Sequence, residues 1–296
     1  MATAAENMTT PTQSTARQHK YHAKAYVLKA DLKHPVQTVI EPQALVDLPE
    51  DGKYTYEAAL PYKLDGIISY KSAYAQVAGH QSKDGAFSTL ATSVVEGLNI
   101  LDVITADRVV GQISTDHPLE GRVPSVTFLG TRFVNLHIGG HKVEVHQDLD
   151  IIGPAPADGK SYFEDPDALA RMSRQYKKIL RMEHLPAWAE EQFRWDKAAA
   201  ETQGKAVCSL VNEVTGAPGI SFGHVIKLPH FGKIFLGELC VERYPAKSET
   251  EHETYHFHLR MIRTEMGSIA AGTTTVVALD SNGTGSGGGT KGGGGH

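Results

Sequence analysis

Cysteine is scarce in this chain. Its 296 residues carry two, Cys208 and Cys240. Both sit in apolar runs, 207–211 and 235–241, where a thiol behaves as a small buried hydrophobe. Two buried thiols are expected, with a single disulfide between neighbouring strands as the alternative. The paired spacing of a cysteine zinc site is missing. Long apolar runs are missing too: no segment reaches the roughly 20 residues that a membrane helix needs. Positive charge is in deficit, with 29 Lys and Arg against 34 Asp and Glu and a net charge of −5. Nucleic acid is therefore not an expected partner, because phosphate binding needs a clustered positive face. Residues 1–10 have neither a basic n-region nor an apolar h-region, so no signal peptide is expected. A Walker loop, a strand-linked G-x-G-x-x-G, a G-x-S-x-G elbow and H-E-x-x-H are all absent. The chain is expected to be non-enzymatic and to carry no cofactor. Carboxylates such as Asp148 and Asp150 keep one enzymatic alternative open, a glycoside-type hydrolase whose acids converge only in three dimensions.

What the chain does have is β-structure. The clearest signal is Val134-Asn-Leu-His-Ile-Gly-Gly-His-Lys-Val-Glu-Val145. It reads as two strands joined at Gly139-Gly140, residues that take the positive φ of a type I′ turn. That turn sets Leu136 opposite Val143 and Val134 opposite Val145 on one face. It sets His137 opposite Lys142, Asn135 opposite Glu144 and, further out, Phe133 opposite His146.

Residues 1–24 are polar and read as a flexible arm. Strand signals then fill 25–152. Residues 98–110 also fit a helix, but Val and Ile dominate and the segment is assigned as strand. At 165 the pattern changes. Asp165-Pro166-Asp167 supplies an N-cap, a proline for the first helical position and an acid for the first turn. Leu169, Met172, Tyr176, Ile179 and Leu180 follow at helical spacing. Pro186 opens a second helix, Ala187 to Ala200, and Gly204 stops it. Strands resume at Lys205. Residues 283–296 are a Gly-rich tail of linker composition. The expected architecture is mainly β: an antiparallel β-sandwich, Ig-like or jelly-roll-like, spanning 25–282 with a two-helix insert at 165–202.

Several segments share their order with a known family. They are Ala25-Tyr-Val-Leu-Lys-Ala30, Leu48-Pro-Glu-Asp-Gly52, Ile104-Thr-Ala-Asp-Arg-Val109 and the 134–145 hairpin. His256-Phe-His-Leu-Arg-Met261 leading to Thr274-Thr-Val-Val-Ala-Leu279 extends the series. Together they cover about half the chain, as loose patterns, and the chain resembles the bacterial choice-of-anchor P family of secreted β-proteins. The resemblance implies an extracellular or cell-surface β-sandwich-like domain without enzyme activity. It supplies no catalytic residues. The chain departs from the family in showing no signal-peptide pattern, no C-terminal anchor and an added helical insert.

Two groups of residues stand out as candidate sites. His256 and His258 alternate with Tyr255, Phe257, Leu259 and Met261, so both imidazoles leave one face of a strand while the apolar residues form the other. Such a pair begins a metal site but needs a third ligand, which the sequence does not place. His252 lies just upstream. A solvated polar face that includes Arg260 is the plain alternative. Trp188, Phe193 and Trp195 concentrate aromatic area in the second helix. They either anchor an interface with another subunit or dock the insert onto its own β-domain. His137, His141 and His146 cluster in sequence, but Lys142 beside His137 discourages a metal. Arg171, Arg174 and Lys178 read as the solvated face of the first helix.

These features suggest a non-enzymatic structural protein that assembles with itself, as an extracellular filament or surface layer, through sandwich bodies and terminal arms. A carbohydrate- or metal-binding β-sandwich module, with a glycan as possible partner, is the second expectation.

Overall fold

The computed structural model describes residues 19–118, 123–157, 160–245, 253–267 and 270–284. Strands dominate. In chain order they are β1 (Ala23–His34), β2 (Thr38–Gln43), β3 (Val46–Asp47), β4 (Lys53–Ala59), β5 (Tyr62–Leu64), β6 (Ile68–Tyr70) and β7 (Ser72–Gln81). Next come β8 (Phe87–Ile100), β9 (Ile104–His117), β10 (Ser125–Thr127), β11 (Arg132–Val134), β12 (His137–Ile138), β13 (His141–Lys142) and β14 (Glu144–Gln147). After the helical insert follow β15 (Lys205–Ser209), β16 (Val211–Thr215), β17 (Ile220–Phe222) and β18 (Val225–Leu228). The last three are long: β19 (Gly232–Tyr244), β20 (Thr254–Met266) and β21 (Ala271–Thr284).

The strands form two large antiparallel sheets and a short pair. The first sheet runs β17-β18-β19-β20-β21-β1-β2, with β15 also on β19 and β3 on β1. The second centres on the β8–β9 hairpin, flanked by β4–β7, β5–β6 and β10 to β13. β14 and β16 make the short pair. β21, β1 and β20 pack face to face against β7, β8 and β9, which is the sandwich expected from the sequence. Alternation decides which side chains fill it. Tyr255, Phe257, Leu259 and Met261 are fully buried, as are Val109 and Ile113 opposite them. Gly111 is required where the layers come closest. A Cβ there would meet Val277 Cγ1 at 2.7 Å and Leu279 Cδ1 at 2.8 Å.

Local chemistry changes the expected course in three places. Gly139 and Gly140 have φ of 57° and 79°, and His137 pairs with Lys142 as expected. Val143 N–H donates to Leu136 C=O at 2.9 Å. The hairpin ends there, because Asn135 turns into the left-handed region with φ 48°. Its amide donates to Asp107 Oδ2 at 2.6 Å. Phe133 and Val134 consequently pair with Val109 and Arg108, and Val145 and His146 pair with Val214 and Glu213. The expected Val134–Val145, Asn135–Glu144 and Phe133–His146 pairs do not form. Residues 98–110 are β-structure, but not one strand. Leu101 and Asp102 both have positive φ, and a tight turn between β8 and β9 is held by the Asn99 amide donating to Asp102 Oδ1 at 2.6 Å and the Asp102 backbone N–H donating to Asn99 Oδ1 at 2.9 Å.

The insert begins as read. In α1 (Pro166–Ile179) the Asp165 carboxylate accepts from Asp167 N–H at 2.9 Å, and Ala168, Met172, Tyr176 and Ile179 are buried. The second helix comes as two pieces, α2 (Ala187–Gln192) and α3 (Lys197–Gln203). Asp196 ends the continuity by capping α3, accepting from Ala199 N–H at 2.8 Å. Gly204, with φ 63°, closes α3 as expected. Of the arm anticipated at 1–24, the described part, from His19 on, joins the fold. Tyr21 is buried, His19 stacks on Phe87, and β1 begins at Ala23. The rest of the arm and residues 285–296 lie outside the described residues, as does His252.

Candidate metal centre

One strand face carries the histidine pair. On β20, His256 and His258 point away from the buried Phe257 and Leu259, as alternation requires. The register of the neighbouring strands then decides what they meet. His258 stands opposite Asp280 of β21 and Cys240 of β19, and His256 opposite Glu242. On the far side of β21, Lys24 of β1 is opposite Asp280, which brings His22, just before β1, to the same patch.

The convergence is close. A ring nitrogen from His22, one from His256 and a carboxylate oxygen of Asp280 lie within 4.8 Å of one another. No other trio of His, Cys, Asp or Glu does so among the described residues. His22 Nε2 is 3.6 Å from Asp280 Oδ2, and His256 Nδ1 is 3.6 Å from Oδ1. His258 Nδ1 is 3.4 Å from Oδ1. Asp280 Oδ1 is buried and makes no hydrogen bond, although two imidazoles face it.

Behind the patch lies a supporting shell. Glu242 Oε2 is 3.9 Å from His258 Nε2, so His258 spans the two carboxylates. Glu242 is itself fixed by Lys205 Nζ and by the Tyr244 hydroxyl, each at 2.6 Å. The Tyr244 ring meets His256 edge-on at 5.0 Å. Beside it, meeting the trio at Asp280, lies an open groove of about 390 Å³, lined among others by Lys24, Tyr26, Lys205, His258, Arg260 and Asp280.

The two carboxylates suit a cation site, and the raised His22 would have to give up its proton to join them. Burial works to raise the Asp280 pKa, but His22, His256 and His258 outweigh it and hold the carboxyl well below the usual carboxylate range. Contact with Asp280 lifts His22. Burial lowers His258 despite the pull of Asp280, which favours a neutral imidazole. Burial also opposes the Glu242 charge, yet Lys205 and Tyr244 hold it at about 2.

Residues 19–242 match the family described as a domain of unknown function, DUF8256. The chain belongs to the DUF8256 family. The match includes His22 and Glu242 and stops before β20 and β21, which carry His256, His258 and Asp280. No curated protein and no solved structure matches the chain.

The other sequence candidates are placed elsewhere. Phe193 is fully buried against Tyr176, Ile179, Val225 and Phe235, so it docks the insert onto its own sheet and is not free to meet a partner. Trp195 packs beside Tyr176, with ring centroids 5.8 Å apart. Trp188 lies against Phe222, with Lys227 Nζ 5.4 Å from its ring centroid. Both tryptophans keep some exposed surface. His137, His141 and His146 fall on three different strands and do not converge. Arg171 donates twice to Ile152 C=O, at 3.1 and 2.8 Å, and Arg174 pairs with Asp148. That pairing engages one acid of the hydrolase alternative. No helix among the described residues is long and apolar enough to cross a membrane. His22 and Asp280 were missed from sequence, since nothing local marks either one.

Proposed function

We propose that this DUF8256 protein is a β-sandwich module that binds one divalent transition-metal ion through His22, His256 and Asp280. The observation that carries the reading is the spacing. Two imidazole nitrogens stand 3.6 Å from the two oxygens of one half-buried carboxylate. A direct N–H···O bond would close to about 2.9 Å. Ligands on bonds of roughly 2.0–2.2 Å around a tetrahedral ion are about 3.4 Å apart. Two imidazoles and a carboxylate suit zinc and its neighbours in the first transition row. His258, between Asp280 and Glu242, stands beside these ligands and is not one of them. Zinc added to chelator-treated protein is expected to bind one equivalent by calorimetry. It should raise stability by about 2.7 kcal/mol at a hundred times Kd. Asp280→Asn should abolish both effects and His137→Ala neither. No retained zinc and no thermal shift in the unmodified chain would overturn the reading.

A second reading, self-assembly at a cell surface or outside the cell, rests on an open sheet edge. Among the described strands β4 pairs with β7 alone. It carries Tyr54 and Tyr56 into solvent and is followed directly by Leu60, which is 85% exposed. Unpaired edges of this kind accept a strand from another chain. The resemblance to choice-of-anchor P proteins favours the same reading. Light scattering across a concentration series is expected to show oligomers that Tyr56→Lys weakens. A monomer at every concentration would remove it.

A further inference from the structure

Three protein ligands leave a coordination position open, which is how sites that exchange a ligand differ from closed structural ones. Adjoining the trio at Asp280, though not lined by His22 or His256, is a groove of about 390 Å³, near the lower end of the range for small-molecule sites. Its charged groups fall into two kinds. Lys205 is neutralised by Glu242 at 2.6 Å, and Lys24 faces Asp47 at 3.8 Å. Arg260 makes no hydrogen bond or close ion pair among the described residues, and Glu238, the carboxylate opposite it on β19, has both oxygens bound by Arg263. It sits two residues beyond His258 on the same face of β20, opposite Ala278, which is two residues from Asp280. Two residues along a strand are about 6.8 Å, so the guanidinium is rooted one side-chain spacing from the metal ligands.

Charge then limits the occupant. A divalent ion beside the single Asp280 carboxylate keeps one positive charge, and Arg260 adds another. Neutral imidazole ligands remove neither. A neutral or cationic ligand would leave both uncompensated in a partly desolvated groove. A planar carboxylate answers both: one oxygen reaches the metal and the remaining acceptor sites meet the guanidinium fork. Tyr26, also in the groove wall, offers an aromatic edge to the body of such a ligand.

We infer that the groove binds a small organic carboxylate, which takes the open position on the metal and is gripped by Arg260. This rests on the metal-binding reading above. The test uses the full chain loaded with cobalt(II), whose visible absorption reports its ligands, titrated with succinate and separately with inorganic phosphate. Metal content is measured after desalting, so that loss of cobalt to the titrant is seen. Succinate should change the spectrum in a saturable way with cobalt retained. Arg260→Ala should weaken that response at least about tenfold while cobalt loading stays the same, and Arg260→Lys should recover it only in part. Cobalt that loads but ignores succinate overturns the carboxylate inference and leaves the metal reading intact. So does a phosphate response as strong as that to succinate, or an undiminished response in Arg260→Ala. A chain that takes up no cobalt and no zinc overturns both.

Discussion

His224 donates its Nδ1 proton to Gln175 Oε1 across 2.7 Å, and this bond ties helix α1 to the turn before β18. The donor assignment follows from the amide. Gln175 Nε2 already donates to Val211 C=O at 2.6 Å and Asn212 C=O at 2.9 Å, so only its oxygen is left to face the imidazole. His224 Nε2 is left bare, with Tyr176, Phe193 and Phe235 ringing it. Gln175→Leu would remove three hydrogen bonds and strand a buried N–H and two carbonyls. At roughly 1–3 kcal/mol for each unsatisfied buried group, with partial relaxation, a loss of about 3 kcal/mol is expected. The midpoint of urea unfolding should fall with little change in slope. A midpoint equal to that of the parent would show that the network contributes nothing.

The same histidine makes stability depend on pH. Burial holds His224 down at about 4, against the upward pull of Glu238, while the unfolded side chain titrates near the ordinary 6.5. Between those values the unfolded chain binds more protons than the folded one, so stability rises with pH across this window. Acidification from 6.5 to 4 should remove about 3 kcal/mol on this account. Burial also holds His19 at about 4, so it adds to the same slope. His224→Phe is expected to start from lower stability but to show a clearly shallower slope. Urea midpoints at a series of pH values check this, and parallel slopes would dismiss it.

Legibility followed sequence distance. The buried face of β20, the N-cap Asp165 and the stop at Gly204 depend on neighbours a few residues away, and patterning exposed them. The Gly139-Gly140 turn was equally plain. How far its hairpin extends depended on competition: β9 offers a longer edge to Phe133 and Val134 than Val145 does. The metal site divides the same way. His256 and His258 share a face by parity alone. Asp280 joins them through the β20–β21 register, and His22 through β1, which lies more than two hundred residues away in sequence. No local signal encodes such a pairing. The break between α2 and α3 was written in Asp196, a strong N-cap, and was overlooked because the apolar spacing runs across it.

Gly111 tests how closely the two sheets pack. It lies in β9 beneath Val277, a β-branched residue of β21 held at φ 54° while the register with β20 runs unbroken on either side. Val277 and Leu279 fill the space that a side chain at 111 would occupy. Gly111→Ala is therefore expected to destabilise by about 2 kcal/mol through overpacking, although alanine usually improves on glycine in a strand. Thermal unfolding of the variant measures it. A neutral or stabilising result would mean that the sheets separate more easily than their packing implies.

The two thiols offer a check on register. Val207 is opposite Cys240 and Cys208 opposite Leu239, so Cys208 and Cys240 are on adjacent strands but project to opposite faces of the sheet. A disulfide between them would require a strand to turn over, and both are free. Burial pushes the Cys240 thiol up to about 11 and the Cys208 thiol higher still. At pH 8 only about one Cys240 in a thousand would be thiolate, the reactive form. Native protein is therefore expected to resist alkylation by iodoacetamide and to form no intramolecular bond under mild oxidation. Both cysteines should react promptly once the chain is unfolded in urea. Mass spectrometry of trapped samples distinguishes the cases: fast labelling of either thiol in the native state, or a 208–240 cross-link, would show the β15–β19 register to be wrong.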